Sequence, residues 1–214
     1  MIKEKSAKII SLVVAVLAIA VIIGWLFNIT ILKNILPQFT DIDFIVAVCF
    51  LLSGFVLYAK AVDYKNVGSW VQFFLLFVSF LIFLTASFVL TSLYFGAEDG
   101  INSLIVKNSF ETLDVSVLVK LYLPIAMFGF LTVAAIGFLP INKNKFFSVA
   151  SYFLAVGLIF IGGLAVINYL TNLSRIYYGF GNVDVTVVPR ILVLFIFLGF
   201  GFLTIFIKKT QIRE

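Results

Sequence analysis

Apolar residues run along this chain in blocks near 20 residues long, and polar residues gather between the blocks. At a rise of about 1.5 Å per residue, a block of that length spans the ~30 Å hydrocarbon layer of a bilayer. Each is therefore predicted to be a membrane-crossing helix, and the pattern predicts six: 8–27, 44–62, 70–95, 119–139, 146–169 and 189–207. The connecting stretches alternate in kind. Those at 60–69 and 140–145 are short and basic, whereas 28–43, 96–118 and 170–188 are longer. The longer ones place apolar residues near helical spacing, as in Ile31, Leu32, Ile35 and Leu36, which predicts segments lying in the membrane interface. The expected fold class is an all-α membrane protein of six transmembrane helices. They form a single membrane domain of three in–out–in hairpins, 8–62, 70–139 and 146–207.

Composition supports lipid as the solvent. Of 214 residues, 63% are hydrophobic and 12% charged, whereas a soluble domain carries about 25% charge. Mean hydropathy is +1.21. The chain has no His and one Cys, which removes His-ligated haem, His-based zinc sites, Ser-His and Cys-His nucleophile pairs, and an internal disulfide. No enzymatic activity and no cofactor are expected, and Cys49 reads as a small apolar filler within a helix.

The net charge of +5 would suggest nucleic acid in a soluble protein, but its distribution follows the predicted connections instead. Lys3, Lys5, Lys8, Lys60, Lys65, Lys143, Lys145, Lys208, Lys209 and Arg213 lie on one side, against Glu4, Asp63 and Glu214. The positive-inside rule makes that side cytoplasmic, so a multi-pass protein of the cell membrane with both termini in the cytoplasm is expected. Membrane lipids are the predicted surroundings and nucleic acid is not a predicted partner. Lys3, Lys5 and Lys8 before an apolar run, with Ala18-Ile19-Ala20 inside it, resemble a secretory signal. The run continues through Phe27, which favours an uncleaved anchor.

Two stretches match without gaps: DVSVLVKLYLPIAMFGF (114–130) and DVTVVPRILVLFIFLGF (184–200). They share the Asp, two Val, a cation at Lys120 or Arg190, and a closing Gly-Phe. Gly54-Phe55 repeats the last feature in the first hairpin, where Ile45 stands in place of the cation. A threefold duplication is the reading this supports.

The segment GWLFNITILKNILPQFTDIDFIVAVCFLLSGFVLYA (24–59) resembles the first hairpin of the multi-helix membrane regions at the N-terminus of bacterial sensor histidine kinases and diguanylate cyclases. Trp25, Phe27, Ile35, Leu36, Pro37, Ala47, Cys49, Phe50, Leu51, Leu52, Ser53 and Gly54 carry the likeness, and Tyr94-Phe95-Gly96 extends it loosely. Asp43-Phe44-Ile45-Val46 and Pro189-Arg190 replace the family's Pro-Asn-containing approach to the helix. The resemblance implies a sensor-like module; with the sequence ending at Glu214, no kinase or cyclase output is expected, and a signal would pass to a partner.

Lys120 and Arg190 are the sharpest candidate residues. Each is predicted in the first turn of a helix, against the positive end of the dipole, and on the outer face where cations are scarce. Snorkelling to lipid phosphate, or pairing with Glu111, Asp114 or Asp184, would offset those costs. The functional reading is an anionic small molecule or lipid headgroup held between hairpins two and three by Lys120, Arg190, Asp114 and Asp184. For Asp114 and Asp184 the ordinary role is helix capping or loop anchoring. Ser151-x-x-x-Ala155, with Gly157, Gly162 and Gly163, reads as a helix-packing face. No charge falls deep within a predicted helix, which weighs against ion-coupled transport. A non-enzymatic sensor-like or ligand-binding module is the leading reading. An accessory subunit of a larger complex, or less favourably a channel or transporter subunit, is the competing class. The partner is then a second copy or another membrane protein.

Overall fold

Long apolar runs have their backbone groups satisfied only by helix in lipid, and helices are what form. The computed structural model describes residues 2–27, 29, 44–62, 69–95, 115–140, 145–171 and 189–211, with side chains described over most of these stretches. They make six helices: α1 (Ile2–Leu26), α2 (Phe44–Ala61), α3 (Ser69–Phe95), α4 (Val115–Phe138), α5 (Lys145–Thr171) and α6 (Pro189–Gln211). No strand occurs among the described residues.

Helix ends have local causes. The Leu139 N–H still reaches Ala135 O at 3.1 Å, but Pro140 has no N–H to continue the ladder. Pro189 opens α6, where a missing N–H costs nothing. Two helices start earlier than their apolar runs. α1 extends back through Lys3–Lys8, and α4 begins at Val115 rather than near 119.

Each helix packs most extensively on its chain neighbour: α1 on α2, α3 on α4, α5 on α6. Contacts of α6 with α1, α2 with α3 and α4 with α5 close the set into a ring, and α2 also touches α4 and α6. That makes α2 the hub. Within its apolar span 56% of residues are buried, against 28% in α1 and α3 and 22% in α5. Ile10 lies near Gly201, Ser11 beside Gly54, and Lys60 bonds Leu139. The first half of α1 and the second half of α6 therefore lie toward the end of the bundle where α2 and α4 finish.

Small residues set the close approaches within the pairs. A β-carbon at Gly54 would sit 3.2 Å from Ser11 O. One at Gly199 would sit 2.8 Å from Ala155 O, and one at Gly137 would collide with Ser79 Oγ. Ser151 and Ala155 are buried, as the packing face predicted, and so is Gly162. Gly157 and Gly163 differ from the expectation: among the described residues, no atom of another helix lies within 4 Å of where their β-carbons would be.

The outside of the bundle is apolar. Phe73, Phe77, Phe80 and Phe88 on α3 and Phe146, Phe153 and Phe160 on α5 are exposed, more than a soluble monomer tolerates in water. Four helices are long and apolar enough to cross a membrane, with spans Lys5–Leu26, Phe44–Ala61, Trp70–Ser92 and Phe146–Leu164. The described apolar stretches of α4 and α6, Pro124–Phe138 and Val193–Phe206, are shorter. The architecture is that of an all-helical membrane protein.

Candidate functional site

Of the four predicted site residues, Asp114 and Asp184 lie outside the described residues, as do the side chains of Lys120 and Arg190. The backbone places both cations. Arg190 is the second residue of α6, in its first turn. Lys120 sits one turn deeper than expected, because α4 begins at Val115. Inside α4 stands Pro124. A proline in a helix interior cannot donate to the carbonyl four residues back, so the Lys120 carbonyl loses its helical donor.

Below these cations, toward the end that holds Lys60, the centre of the bundle is aromatic. Phe50 of α2, Phe130 of α4 and Phe195 of α6 are fully buried, with ring centroids 4.8 Å (50–130), 4.9 Å (50–195) and 5.1 Å (130–195) apart. Such separations suit edge-to-face packing. Phe195 is seated on Gly129, where a β-carbon would lie 2.5 Å from its Cζ. Lys120 precedes Gly129 by nine positions and Arg190 precedes Phe195 by five. Helical rise puts them roughly 13 Å and 7 Å beyond that seat along their own helices. The two cation-bearing helices thus meet through one glycine and one ring.

The two matched stretches do not pack alike. Phe130 is buried while its sequence counterpart Phe200 is 51% exposed, and buried Phe195 corresponds to Ile125, 38% exposed. Helix α4 therefore turns a different face inward. Its close approach to its chain neighbour uses Gly137, whereas Gly54 and Gly199 serve α2 and α6.

Sequence reasoning missed Lys60. Counted there as a connection cation, it is only 4% exposed. Its Nζ donates to Leu139 O at 2.5 Å, at the end of α4 where carbonyls lack helical donors and the dipole favours a cation. The hub helix thereby caps its neighbour. By contrast, the hydroxyls of Ser53, Ser79, Thr85 and Thr132 donate to carbonyls four residues back, and those of Ser11 and Thr204 to carbonyls three back. These bonds join no two helices. A hydrogen bond from a charged donor contributes about 1.5–3 kcal/mol. Lys60→Met is accordingly expected to lower stability by about that amount, measured as the midpoint of detergent-induced unfolding followed by circular dichroism.

No protein-family model, curated protein or solved structure matches this chain. The likeness to sensor membrane regions rests on the quoted residues alone. Among the described residues, no three His, Cys, Asp or Glu side chains gather as a metal site would need, and Cys49 is a buried free thiol.

Proposed function

We propose that this chain is a six-span, non-enzymatic membrane module with both termini in the cytoplasm. It holds an anionic headgroup or small anion at its outer end, between hairpins two and three. Lys120 and Arg190 supply the charge, and Asp114 and Asp184 orient the segments that lead into α4 and α6. What carries the reading is the seat of Phe195 on Gly129, which joins the two cation-bearing helices beneath the proposed site. The hub α2, touching α1, α3, α4 and α6, is the path by which displacement of either helix reaches the rest of the bundle and a membrane partner. Repeated hairpins and the resemblance to sensor membrane regions belong to the same reading.

The test is lipid retention measured by native mass spectrometry. The full chain, released from nanodiscs containing phosphatidylglycerol and phosphatidylcholine, is compared with Lys120→Gln/Arg190→Gln. Loss of charge-assisted hydrogen bonds of about 1.5–3 kcal/mol predicts a drop of roughly tenfold or more in retained phosphatidylglycerol. Competition by inorganic phosphate would identify a free anion as the ligand. Unchanged retention would reduce both residues to membrane anchors. The exposed Phe faces of α3 and α5 favour the second reading, an accessory subunit of a larger complex. Co-purification with one stoichiometric partner and no retained anion would establish it.

A further inference from the structure

Helices α2, α4 and α6 are the second members of the three closely packed pairs, and they supply the central rings Phe50, Phe130 and Phe195. Counted from the ring, burial repeats along all three. Three residues on stand Ser53, Val133 and Leu198, fully buried. Four on stand Gly54, Ala134 and Gly199, and seven on stand Leu57, Gly137 and Phe202, buried as well. Five on, Phe55 and Phe200 are exposed and Ala135 is partly exposed. The fourth position seats the other helix of the pair: Gly54 meets Ser11 and Ala15 of α1, and Gly199 meets Ala155 and Ile159 of α5. Small residues serve this purpose between helices in lipid. In the middle pair Ala134 fills that place, and the close approach to α3 moves about one turn along, to Gly137 and Ser79. Gly54-Phe55 and Gly199-Phe200 thus correspond to Ala134-Ala135, while Gly129-Phe130 stands five positions earlier.

Contacts between the pairs repeat too. Helix α1 lies against α6 as well as α2, α3 against α2 as well as α4, and α5 against α4 as well as α6. Each first helix therefore sits between its own partner and the second helix of another pair. Head-to-tail contacts of this kind form a ring when the rotation closes, and here it closes after three. We infer that the three pairs are one packing unit used three times around an axis through the rings. Each unit's second helix carries a docking face, and the partner it fits is the first helix of the next unit. The α6–α1 contact, between the units farthest apart in sequence, is then the same contact as α2–α3 and α4–α5. Phe130 is the counterpart of Phe195 rather than of Phe200. Lys60 is a departure from the repeat, since Pro140 and Ile205 occupy its place. This sharpens the repeat of hairpins and does not rest on the proposed anion site.

A circular permutant of the full sequence tests the docking face, because a ring of equivalent contacts can be opened at any of its junctions. Residues 66–214 are followed by 1–65 through a Gly/Ser linker, so every helix keeps its direction and α2 must hold α3 without a connection. Val56 and Ser79, which both lie beside Gly137, are the reporters. In a Cys49→Ala background, Val56→Cys with Ser79→Cys is oxidised in nanodiscs, and the disulfide is read by mass spectrometry of peptides. It is expected to form to the same extent in the native order and in the permutant. A permutant that enters the membrane but leaves this pair unlinked overturns the shared docking face, as does one that fails to accumulate while its parent does. The register is tested separately in the native order. Phe130→Ala and Phe195→Ala should lower the midpoint of detergent-induced unfolding by similar amounts, several-fold more than Phe200→Ala. Phe130→Ala behaving like Phe200→Ala overturns the register.

Discussion

Phe195→Ala should destabilise the bundle by roughly 2–3 kcal/mol, less than the ~3–5 kcal/mol typical of a core Phe→Ala change in a soluble protein. The reduction has a physical source. Lipid tails are about as apolar as the bundle interior, so little transfer free energy is lost, and the cost is the vacated space beside Phe50 and Phe130. Gly129 provides a sharper form of the same prediction. Alone, Gly129→Ala drives a methyl against the Phe195 ring and destabilises. With Phe195→Ala it partly refills the cavity, so the two changes should be far from additive. Unfolding midpoints of the two single variants and the double variant measure the coupling. Additivity would mean the ring does not rest on that glycine.

Gly199→Val is expected to exceed the ~1–3 kcal/mol of ordinary overpacking. Its β-carbon would meet backbone as well as side chain: Ala155 O at 2.8 Å and Ile159 N at 3.1 Å. A side chain can rotate away from such a contact, whereas backbone yields only if α5 and α6 separate. That is the most extensive helix pair in the bundle. Gly201→Ala is the control, because its neighbour is the tip of the Leu57 side chain. Unfolding should show a large loss for Gly199→Val and a small one for Gly201→Ala; equal losses would contradict the packing described for α5 and α6.

The helices were legible because length and apolar continuity are one-dimensional properties. Ser151 and Ala155 were legible as a contact face because small residues at helical spacing have one common use in lipid. Which face of α4 turns inward was not. Phe130 and Phe200 occupy matching positions, and nothing local distinguishes a ring in the core from one in lipid when both surroundings are apolar. Lys60 was obscured differently. A lysine near a helix end ordinarily reaches water, whereas Lys60 is buried and donates to the Leu139 carbonyl, 79 residues further along the chain. The register of Lys120 shifted because α4 begins before its apolar run does, and no apolar pattern marks a helix start made of mixed residues. Lys120 and Arg190 stand out in the sequence by charge and spacing, and Asp114 and Asp184 lie outside the described residues.

The back-bonded hydroxyls bear on how the protein is made. Ser11, Ser53, Ser79 and Thr85 each find an acceptor within their own helix, so these groups need no later segment when a ribosome delivers the helices to the membrane in order. Lys60 is the contrast. Its bond to the Leu139 carbonyl spans 79 residues, so that bond can form only once α4 has been synthesised. The tie between the end of α2 and the end of α4 is therefore one that forms late, after α4 has been made.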